Sequence, residues 1–201
     1  MDVFHATFIV LFLAMAAVRI FYRLKARTGR KEQKTAEPAA WLVRILMGGP
    51  VMLAIWVYLF RPRMLNWSSL PLPPAWRWTG AVIFAGSVAG LAWVHLALGK
   101  NFSSELRIRS DQTLVTSGPY RYVRHPMYSA FLLMFFGMGL LAANWFIGTA
   151  GLIVIILIML FRVPREEEMM VNTFGDQYRR YASATDRFLP RLRATAIRML
   201  E

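Results

Sequence analysis

The chain has 201 residues, of which 57% are hydrophobic, yet it carries a formal net charge of +13. A soluble globular domain rarely combines these properties, so the charged residues must be separated from the apolar stretches along the chain. The sequence contains no cysteine, which excludes disulfides, thiolate nucleophiles and cysteine-ligated metals. We therefore expect a polytopic membrane protein whose chemistry uses His, Tyr, Arg, Glu or backbone groups and no metal.

The first half of the chain contains three apolar stretches that can each cross roughly 30 Å of hydrocarbon as a helix. They lie at residues 3–22, 41–60 and 78–98. No Lys or Arg precedes the first stretch, which favours a retained helix over a cleaved signal peptide. The third contains Gly80, Gly86 and Gly90, small residues that allow neighbouring helices to approach closely.

The longest apolar run, residues 128–161, has too many residues for one span and too few for two full-length ones, with Asn144 near its middle. This pattern predicts a tight helix hairpin with arms of about 16 residues. A tail helix over residues 164–184 is predicted next, with Gly175 as its weak point. The fold class is then an all-α integral membrane protein with five transmembrane helices, the last two forming the hairpin, plus a cytoplasmic C-terminal helix.

Lys and Arg are distributed unevenly between the connections of this five-span arrangement. Twenty lie in the segments at one face and three at the other. The positive-inside rule then places the N-terminus outside and the C-terminal tail in the cytoplasm. Because these charges occupy short loops beside apolar spans, they indicate attraction to anionic membrane lipids and no nucleic-acid partner.

Polar clusters flank the predicted hairpin on both sides. Residues 120–128 precede it and residues 162–178 follow it, and an antiparallel hairpin returns the chain to the same membrane face. The two clusters are therefore expected to meet at the cytoplasmic interface, in a pocket that offers imidazole, phenol, guanidinium and carboxylate groups.

The sequence at this point resembles a known family. The string LGKNFSSELRIRSDQTLVTSGPYRYVRHPMY, a hairpin, and the pattern R-x-x-x-E-E-x-x-x-x-x-x-F-G-x-x-Y-x-x-Y ending in RFLP are similar to the isoprenylcysteine carboxyl methyltransferases, over roughly residues 98–190. Phospholipid methyltransferases and the C-terminal part of membrane sterol reductases share elements of this region. The first three spans carry no family motif and add only a compatible topology. We therefore expect a single membrane domain, 1–201, with three N-terminal transmembrane helices in residues 1–98 and the methyltransferase motif region, with the hairpin and the tail helix, in residues 99–190.

The resemblance also implies a site for the cofactor S-adenosyl-L-methionine. The residues that match the family's cofactor contacts are Gln112, Thr113, Leu114, Val115, Tyr120, His125, Pro126, Met127, Tyr128 and Glu166. Glu105 is a further candidate, although eukaryotic members have a glutamine at its position. Arg162 matches the arginine that binds the acceptor, so Arg162 and Glu166 are the expected catalytic residues. A guanidinium would orient an acceptor carboxylate, which is already ionised and needs no general base.

The implied substrate is amphiphilic, and an isoprenylcysteine-like carboxylate is the first choice. A phospholipid amine or a thiol is the alternative, and either would need a proton acceptor such as Glu167. A non-catalytic lipid-binding module and a reductase that uses a nicotinamide cofactor are the rival classes. The i and i+4 spacing of Arg162 and Glu166 also fits an ordinary ion pair on a helix. Arg121 and Arg124 also fit charges that only fix the membrane topology.

Overall fold

The computed structural model describes residues 2–27, 38–99 and 113–190, with side chains described at 2–25, 48–99 and 113–190. Two short 3₁₀ helices, Pro62–Ser68 and Gly118–Arg121, lie in connections. The α-helices are α1 Val3–Arg27, α2 Pro38–Phe60, α3 Pro74–Leu98, α4 Pro126–Ala142, α5 Trp145–Phe174 and α6 Asp176–Ala184. Across these described ranges, β-pairing is limited to two isolated bridges.

Three of the described helices are long and apolar enough to cross a membrane, over Val3–Lys25, Pro74–Leu98 and Trp145–Phe174. Two shorter apolar helices, Gly48–Phe60 and Pro126–Ala142, accompany them. Large apolar side chains such as Val82 and Leu160 are exposed on the outer surface of the helix bundle, where lipid would cover them. The all-α membrane architecture expected from the sequence is confirmed at this level.

Helices α3 and α4 pack closely because both carry small residues at their contact. A Cβ atom added at Gly137 would lie 2.7 Å from the backbone nitrogen of Phe84, and one at Gly80 would meet the backbone of Leu141. Neither position has room for a side chain, as is common where membrane helices approach through glycine. By contrast, no described atom outside the backbone of α3 lies within 4 Å of the corresponding point at Gly86 or Gly90, so Gly80 is the one of these three glycines for which the described residues show the expected close approach.

The hairpin turn falls at Ala143 and Asn144, as the position of Asn144 in the apolar run predicted. Ala143 has a left-handed φ of 49°, and the Asn144 side chain caps α5 by accepting from the Ile147 backbone nitrogen at 3.0 Å. The Asn144 amide also donates to the Leu65 carbonyl at 3.2 Å and the Ser68 hydroxyl at 2.7 Å. One buried side chain therefore fixes the turn and attaches it to the 3₁₀ helix.

The predicted separate tail helix is wrong, because the second arm of the hairpin does not end near residue 161. Helix α5 continues for 30 residues through Pro164 and ends only at Gly175, whose φ is +53°. Proline has no N–H to donate, so the helix continues through Pro164 with one backbone hydrogen bond fewer. Residues 162–174 therefore continue the second arm of the hairpin as helix, and α6 follows as a separate short helix in the described part of the chain.

Candidate active site

The loop before α4 lies against the last turns of α3 and against α6. Gly118, with a φ of +62°, lies where an added Cβ would be 3.0 Å from the Cβ of Ala97. The backbone oxygen of Tyr120 accepts a hydrogen bond from the Tyr181 hydroxyl at 2.7 Å. These contacts fix the loop from both sides at the membrane end opposite the hairpin turn.

Residues 185–188, which we term the strap, run alongside the beginning of α4. The backbone nitrogen of Arg124 donates to Asp186 O at 2.8 Å, and that of His125 donates to Arg187 O at 2.9 Å. The strap also accepts a 2.7 Å bond at Phe188 O from the hydroxyl of Ser129. The chain segment after α6 therefore returns to α4 and covers its N-terminal end.

His125 lies directly before α4, and its side chain is only 10% exposed. Its Nε2 atom lies 3.3 Å from Glu167 Oε1, and its Nδ1 atom lies 3.7 Å from Glu166 Oε2. Pro126 follows as the first residue of α4, where its fixed φ suits the start of a helix. The imidazole is thus placed between two carboxylates of α5.

Glu166 receives two contacts at one carboxylate oxygen. Its Oε1 accepts a hydrogen bond from the Tyr128 hydroxyl at 3.0 Å and lies 3.2 Å from Nη2 of Arg162. The Nε atom of Arg162 is buried, and no hydrogen-bond partner for it is present among the described residues. We call His125, Tyr128, Arg162 and Glu166 the site cluster.

Glu167, one residue further along α5, is held by two arginines. Arg187 binds it through Nη2 at 2.7 Å and Nε at 3.1 Å, and Arg124 Nε donates to it at 3.0 Å. Arg124 also donates to the backbone oxygens of Ala182, at 2.6 Å, and Thr185. With 12% of its side chain exposed, Arg124 is a buried connection between α5, α6 and the strap.

Burial controls the protonation of the groups around the site cluster. Desolvation lowers the pKa of His125 below its usual value, against the opposing effect of the Glu166 and Glu167 carboxylates. Desolvation likewise raises the pKa of Tyr120, to which the nearby Tyr181 phenol and Glu166 carboxylate add. Neutral imidazole and phenol groups therefore face the Glu166 and Glu167 side chains at neutral pH.

Comparison with known proteins identifies the family to which this arrangement belongs. The family model for phospholipid methyltransferases matches residues 75–177, which contain the entire site cluster. The chain belongs to the phospholipid methyltransferase family. The resemblance to the isoprenylcysteine carboxyl methyltransferases within this group is confirmed by the relatives described next.

Protein-S-isoprenylcysteine O-methyltransferase B of Arabidopsis thaliana is 32% identical over 47% of this chain and 49% of its own length. The Schizosaccharomyces pombe protein-S-isoprenylcysteine O-methyltransferase is 34% identical over 51% of this chain and 40% of its own. The cobalt-zinc-cadmium resistance protein CzcN of Cupriavidus metallidurans is 37% identical over 42% of this chain and 38% of its own. The chain thus spans about half or less of the length of these curated relatives.

A solved structure shares the fold of this phospholipid methyltransferase family member. The eukaryotic intramembrane Ras methyltransferase, isoprenylcysteine carboxyl methyltransferase, superposes with a TM-score of 0.57 over 92% of this chain and 67% of its own. At 18% sequence identity, the likeness concerns the fold alone. Together with the apolar helices, it establishes an integral membrane protein.

The structure brings together some of the residues that the sequence predicts at the site, and others lie elsewhere in the chain. The structure brings His125, Tyr128, Arg162 and Glu166 into contact, with Tyr120 on the adjoining loop. Pro126 is buried and Met127 packs on the helix core. Thr113, Leu114 and Val115 lie in the chain leading to the loop, with Thr113 exposed, whereas Gln112 and Glu105 lie outside the described residues.

Sequence reasoning missed the role of Arg124, which it treated as a topology charge. The burial of this residue was not visible because two of its partners are backbone oxygens about 60 residues away. The sequence did contain one signal. Glu167 directly follows Glu166, a candidate cofactor ligand, and two adjacent carboxylates on a helix need positively charged partners when they are buried.

Proposed function

We propose that this protein is a membrane methyltransferase that moves a methyl group from S-adenosyl-L-methionine to the carboxylate of an amphiphilic, isoprenylcysteine-like acceptor. Membership of the phospholipid methyltransferase family and the names of the curated relatives support methyl transfer. The observation that carries the choice of acceptor is the Arg162 guanidinium, whose buried Nε has no partner in the described part of the chain.

The polar groups of the site cluster fit the chemistry of the cofactor. Glu166 offers a carboxylate for an ammonium or for ribose hydroxyls, and His125 and Tyr128 offer further hydrogen-bonding groups and ring faces. The remaining cofactor contacts in the proposal are Gln112, Thr113, Leu114, Val115, Tyr120, Pro126, Met127 and, as a weaker candidate, Glu105. When bound, S-adenosyl-L-methionine supplies a methyl carbon activated by its sulfonium.

Arg162 is suited to hold the acceptor. A buried guanidinium nitrogen without a partner is costly, and an anionic oxygen would satisfy it. The planar fork of an arginine matches a carboxylate with two parallel hydrogen bonds, which fixes the orientation of the attacking oxygen. Arg162 also contacts Glu166 at 3.2 Å, so the two catalytic residues of the proposal position acceptor and cofactor relative to each other.

The surroundings of Glu167 favour a carboxylate acceptor over an amine or a thiol. Both of those acceptors must lose a proton, and Glu167 is the candidate base that the sequence offers for this step. Its two oxygens already accept hydrogen bonds from Arg124 and Arg187, and protonation would leave those cations without their counter-ion. A carboxylate acceptor needs no proton transfer, so the fixed ion pairs are compatible with turnover.

We further propose five membrane spans, with the N-terminus outside and the tail and the site at the cytoplasmic face. The distribution of basic residues supports this orientation, as does the location of the site at the membrane end opposite the hairpin turn. Leu160 and Phe161, immediately before Arg162, are 64% and 63% exposed on the outer surface of α5. An apolar chain attached to the acceptor can follow this surface, so we infer access from within the bilayer by a lipidated protein or small molecule.

A transfer assay tests the proposal. The purified protein in lipid nanodiscs is supplied with S-adenosyl-L-methionine carrying a labelled methyl group and with a farnesylated cysteine that has a free carboxylate. We expect base-labile methyl ester formation that is lost in Arg162→Ala. No measurable affinity for S-adenosyl-L-methionine would overturn the enzyme assignment and favour a non-catalytic lipid-binding module.

The description of the matching family favours one second candidate, a phospholipid amine as the acceptor. The same assay with vesicles containing phosphatidylethanolamine separates the two acceptors. Base-stable label in the lipid headgroup, without ester formation on the farnesylated cysteine, would select the amine.

A further inference from the structure

We propose that Glu167 is a positioning residue that holds His125 as the tautomer with its proton on Nε2, leaving Nδ1 as a hydrogen-bond acceptor for the bound cofactor. The inference deepens the proposed function and rests on it only in naming the ligand. The tautomer itself belongs to the protein without ligand and can be measured there.

The distances around the imidazole assign the proton. A carboxylate without its own proton only accepts hydrogen bonds, so the 3.3 Å contact between Nε2 and Glu167 Oε1 requires a proton on Nε2. The contact between Nδ1 and Glu166 Oε2 is 3.7 Å, which is too long for a hydrogen bond. A neutral ring with its single proton on Nε2 satisfies both distances.

Glu167 can fix the ring because Glu167 is itself fixed. Arg187 of the strap holds it through two nitrogens, and Arg124 holds it from the loop before α4. Arg124 in turn has its other donors on backbone oxygens after α6. The carboxylate therefore has no freedom to rotate away from the imidazole without breaking several charge-assisted bonds.

The rest of the histidine is held as well. Its backbone nitrogen donates to Arg187 O at 2.9 Å, and its ring lies 5.8 Å, between centroids, from that of Phe188. Among the residues that the structure describes, Nδ1 is the polar atom of His125 that has no hydrogen-bond partner. The ionisable groups that face the ring are Glu166 and Glu167 from α5, Tyr128 from α4 and Arg124 from the loop.

The arrangement selects the kind of ligand group that binds at this point. Nδ1 and Glu166 Oε2 are both acceptors and lie 3.7 Å apart, so an ammonium can donate to both of them and a diol can donate one hydroxyl to each. A ligand carboxylate would be repelled there. S-adenosyl-L-methionine has both a ribose diol and an ammonium, and its carboxylate must then lie elsewhere.

The test is nitrogen NMR on protein labelled with ¹⁵N-histidine in detergent micelles, without cofactor. The sequence has three histidines, and the signals lost in His125→Asn assign His125. In the wild type at neutral pH we expect Nε2 in the protonated range and Nδ1 in the unprotonated range. The opposite pattern, or an even mixture, overturns the proposal without any use of a variant at Glu167.

Glu167→Gln should shift His125 toward the other tautomer, because the amide NH₂ can donate to Nε2. The matched control is Glu168→Gln, which makes the same change at the exposed neighbouring position of α5 and should leave both signals in place. Unchanged His125 signals in Glu167→Gln would overturn the role of Glu167. Glu167→Asp serves if the glutamine variant does not fold, and we expect it to keep the wild-type tautomer through the retained carboxylate.

Adding S-adenosyl-L-methionine to the labelled wild type separates this inference from the proposed function. We expect the Nδ1 signal to move and the Nε2 signal to stay protonated, and we expect about tenfold weaker binding in Glu167→Gln than in Glu168→Gln. A cofactor that binds without moving Nδ1 contradicts the acceptor role and leaves the proposed function intact. A cofactor that does not bind at all overturns the proposed function and the ligand named here, whereas the tautomer measurement stands.

Discussion

Tyr128 of α4 and Arg162 of α5 contact the same oxygen of Glu166, at 3.0 and 3.2 Å. The two residues are 34 positions apart and lie on opposite arms of one hairpin. Their meeting point depends on the length of the arms, because the turn at Asn144 sets which residues of α4 and α5 are level with each other. The hairpin therefore sets the geometry of the site cluster.

Substitutions of Arg162 and of Glu166 should affect different properties of the protein, methyl transfer in the first case and cofactor affinity in the second. Arg162→Ala should leave cofactor affinity within about twofold and abolish methyl transfer, because the guanidinium is assigned to the acceptor. Glu166→Gln should weaken cofactor binding by about tenfold, since a neutral amide replaces the carboxylate. Calorimetric titration with S-adenosyl-L-methionine and the labelled-methyl assay measure the two properties.

Arg162→Lys is the sharper variant at that position. It keeps the positive charge but cannot present a two-pronged donor, so we expect methyl transfer to remain low. Full activity in the lysine variant, or equal loss of cofactor affinity in Arg162→Ala and Glu166→Gln, would contradict the division of roles.

Arg124 should contribute more to stability than the other arginine of the same loop. Arg124→Ala removes a partner of the largely buried Glu167 and the guanidinium donor to the Ala182 and Thr185 carbonyls. Because Arg187 still pairs with Glu167, we expect a loss of about 1–3 kcal/mol, which is less than for a buried pair broken completely. Arg121→Ala, at an exposed position, should change the thermal unfolding midpoint in micelles little.

Hydropathy and charge predicted the membrane architecture and the turn at Asn144, because a run of apolar residues without Lys or Arg has few alternatives in lipid. The same signals misplaced the end of α5. The first charged residue, Arg162, and the proline at position 164 both resemble the end of a helix. Neither feature indicates that the helix continues beyond Pro164 to Phe174.

The contacts of the site that could not be predicted from the sequence are those that involve the strap. Its contacts with Arg124 and His125 use backbone oxygens, which carry no residue-type signal. Tyr128, His125 and Glu166 were found because their side-chain chemistry suits a cofactor and because they occur in motifs. The Glu167 contacts required the positions of α5, the loop and the strap together.

The lowered pKa of His125 gives the protein a defined response to acid. In the unfolded chain the imidazole titrates near 6.5, whereas in the folded protein it resists protonation because it is buried. Below that value the unfolded state binds more protons, so the stabilising contribution is complete above about pH 6.5 and is lost as the pH falls through the folded pKa. Cofactor affinity should fall over the same range, because a protonated Nδ1 becomes a donor.

The pH response is measured as the thermal midpoint and the cofactor dissociation constant between neutral and mildly acidic pH. His125→Asn removes the titrating group, so its profiles should be flatter over this range than those of the wild type. His5→Asn is the comparison, because His5 lies at the opposite end of the bundle, where its ring contacts the Tyr58 carbonyl at 3.0 Å. A flattened profile in His5→Asn and an unchanged one in His125→Asn would assign the response elsewhere.

Because α3 and α4 pack closely, the effect of a Gly→Ala substitution on stability should depend strongly on its position. Gly137→Ala places a methyl group 2.7 Å from the Phe84 backbone nitrogen, and neither backbone can yield without separating the two helices. We expect a loss of about 1–3 kcal/mol, the usual cost of overpacking, seen as a lower unfolding midpoint in micelles. Gly86→Ala lies on α3, where no described atom outside the helix's own backbone is within 4 Å of the new methyl group, and it should leave stability equal or slightly higher, since alanine favours the helix. Similar losses in both variants would contradict the α3–α4 contact as the reason that glycine is required at position 137.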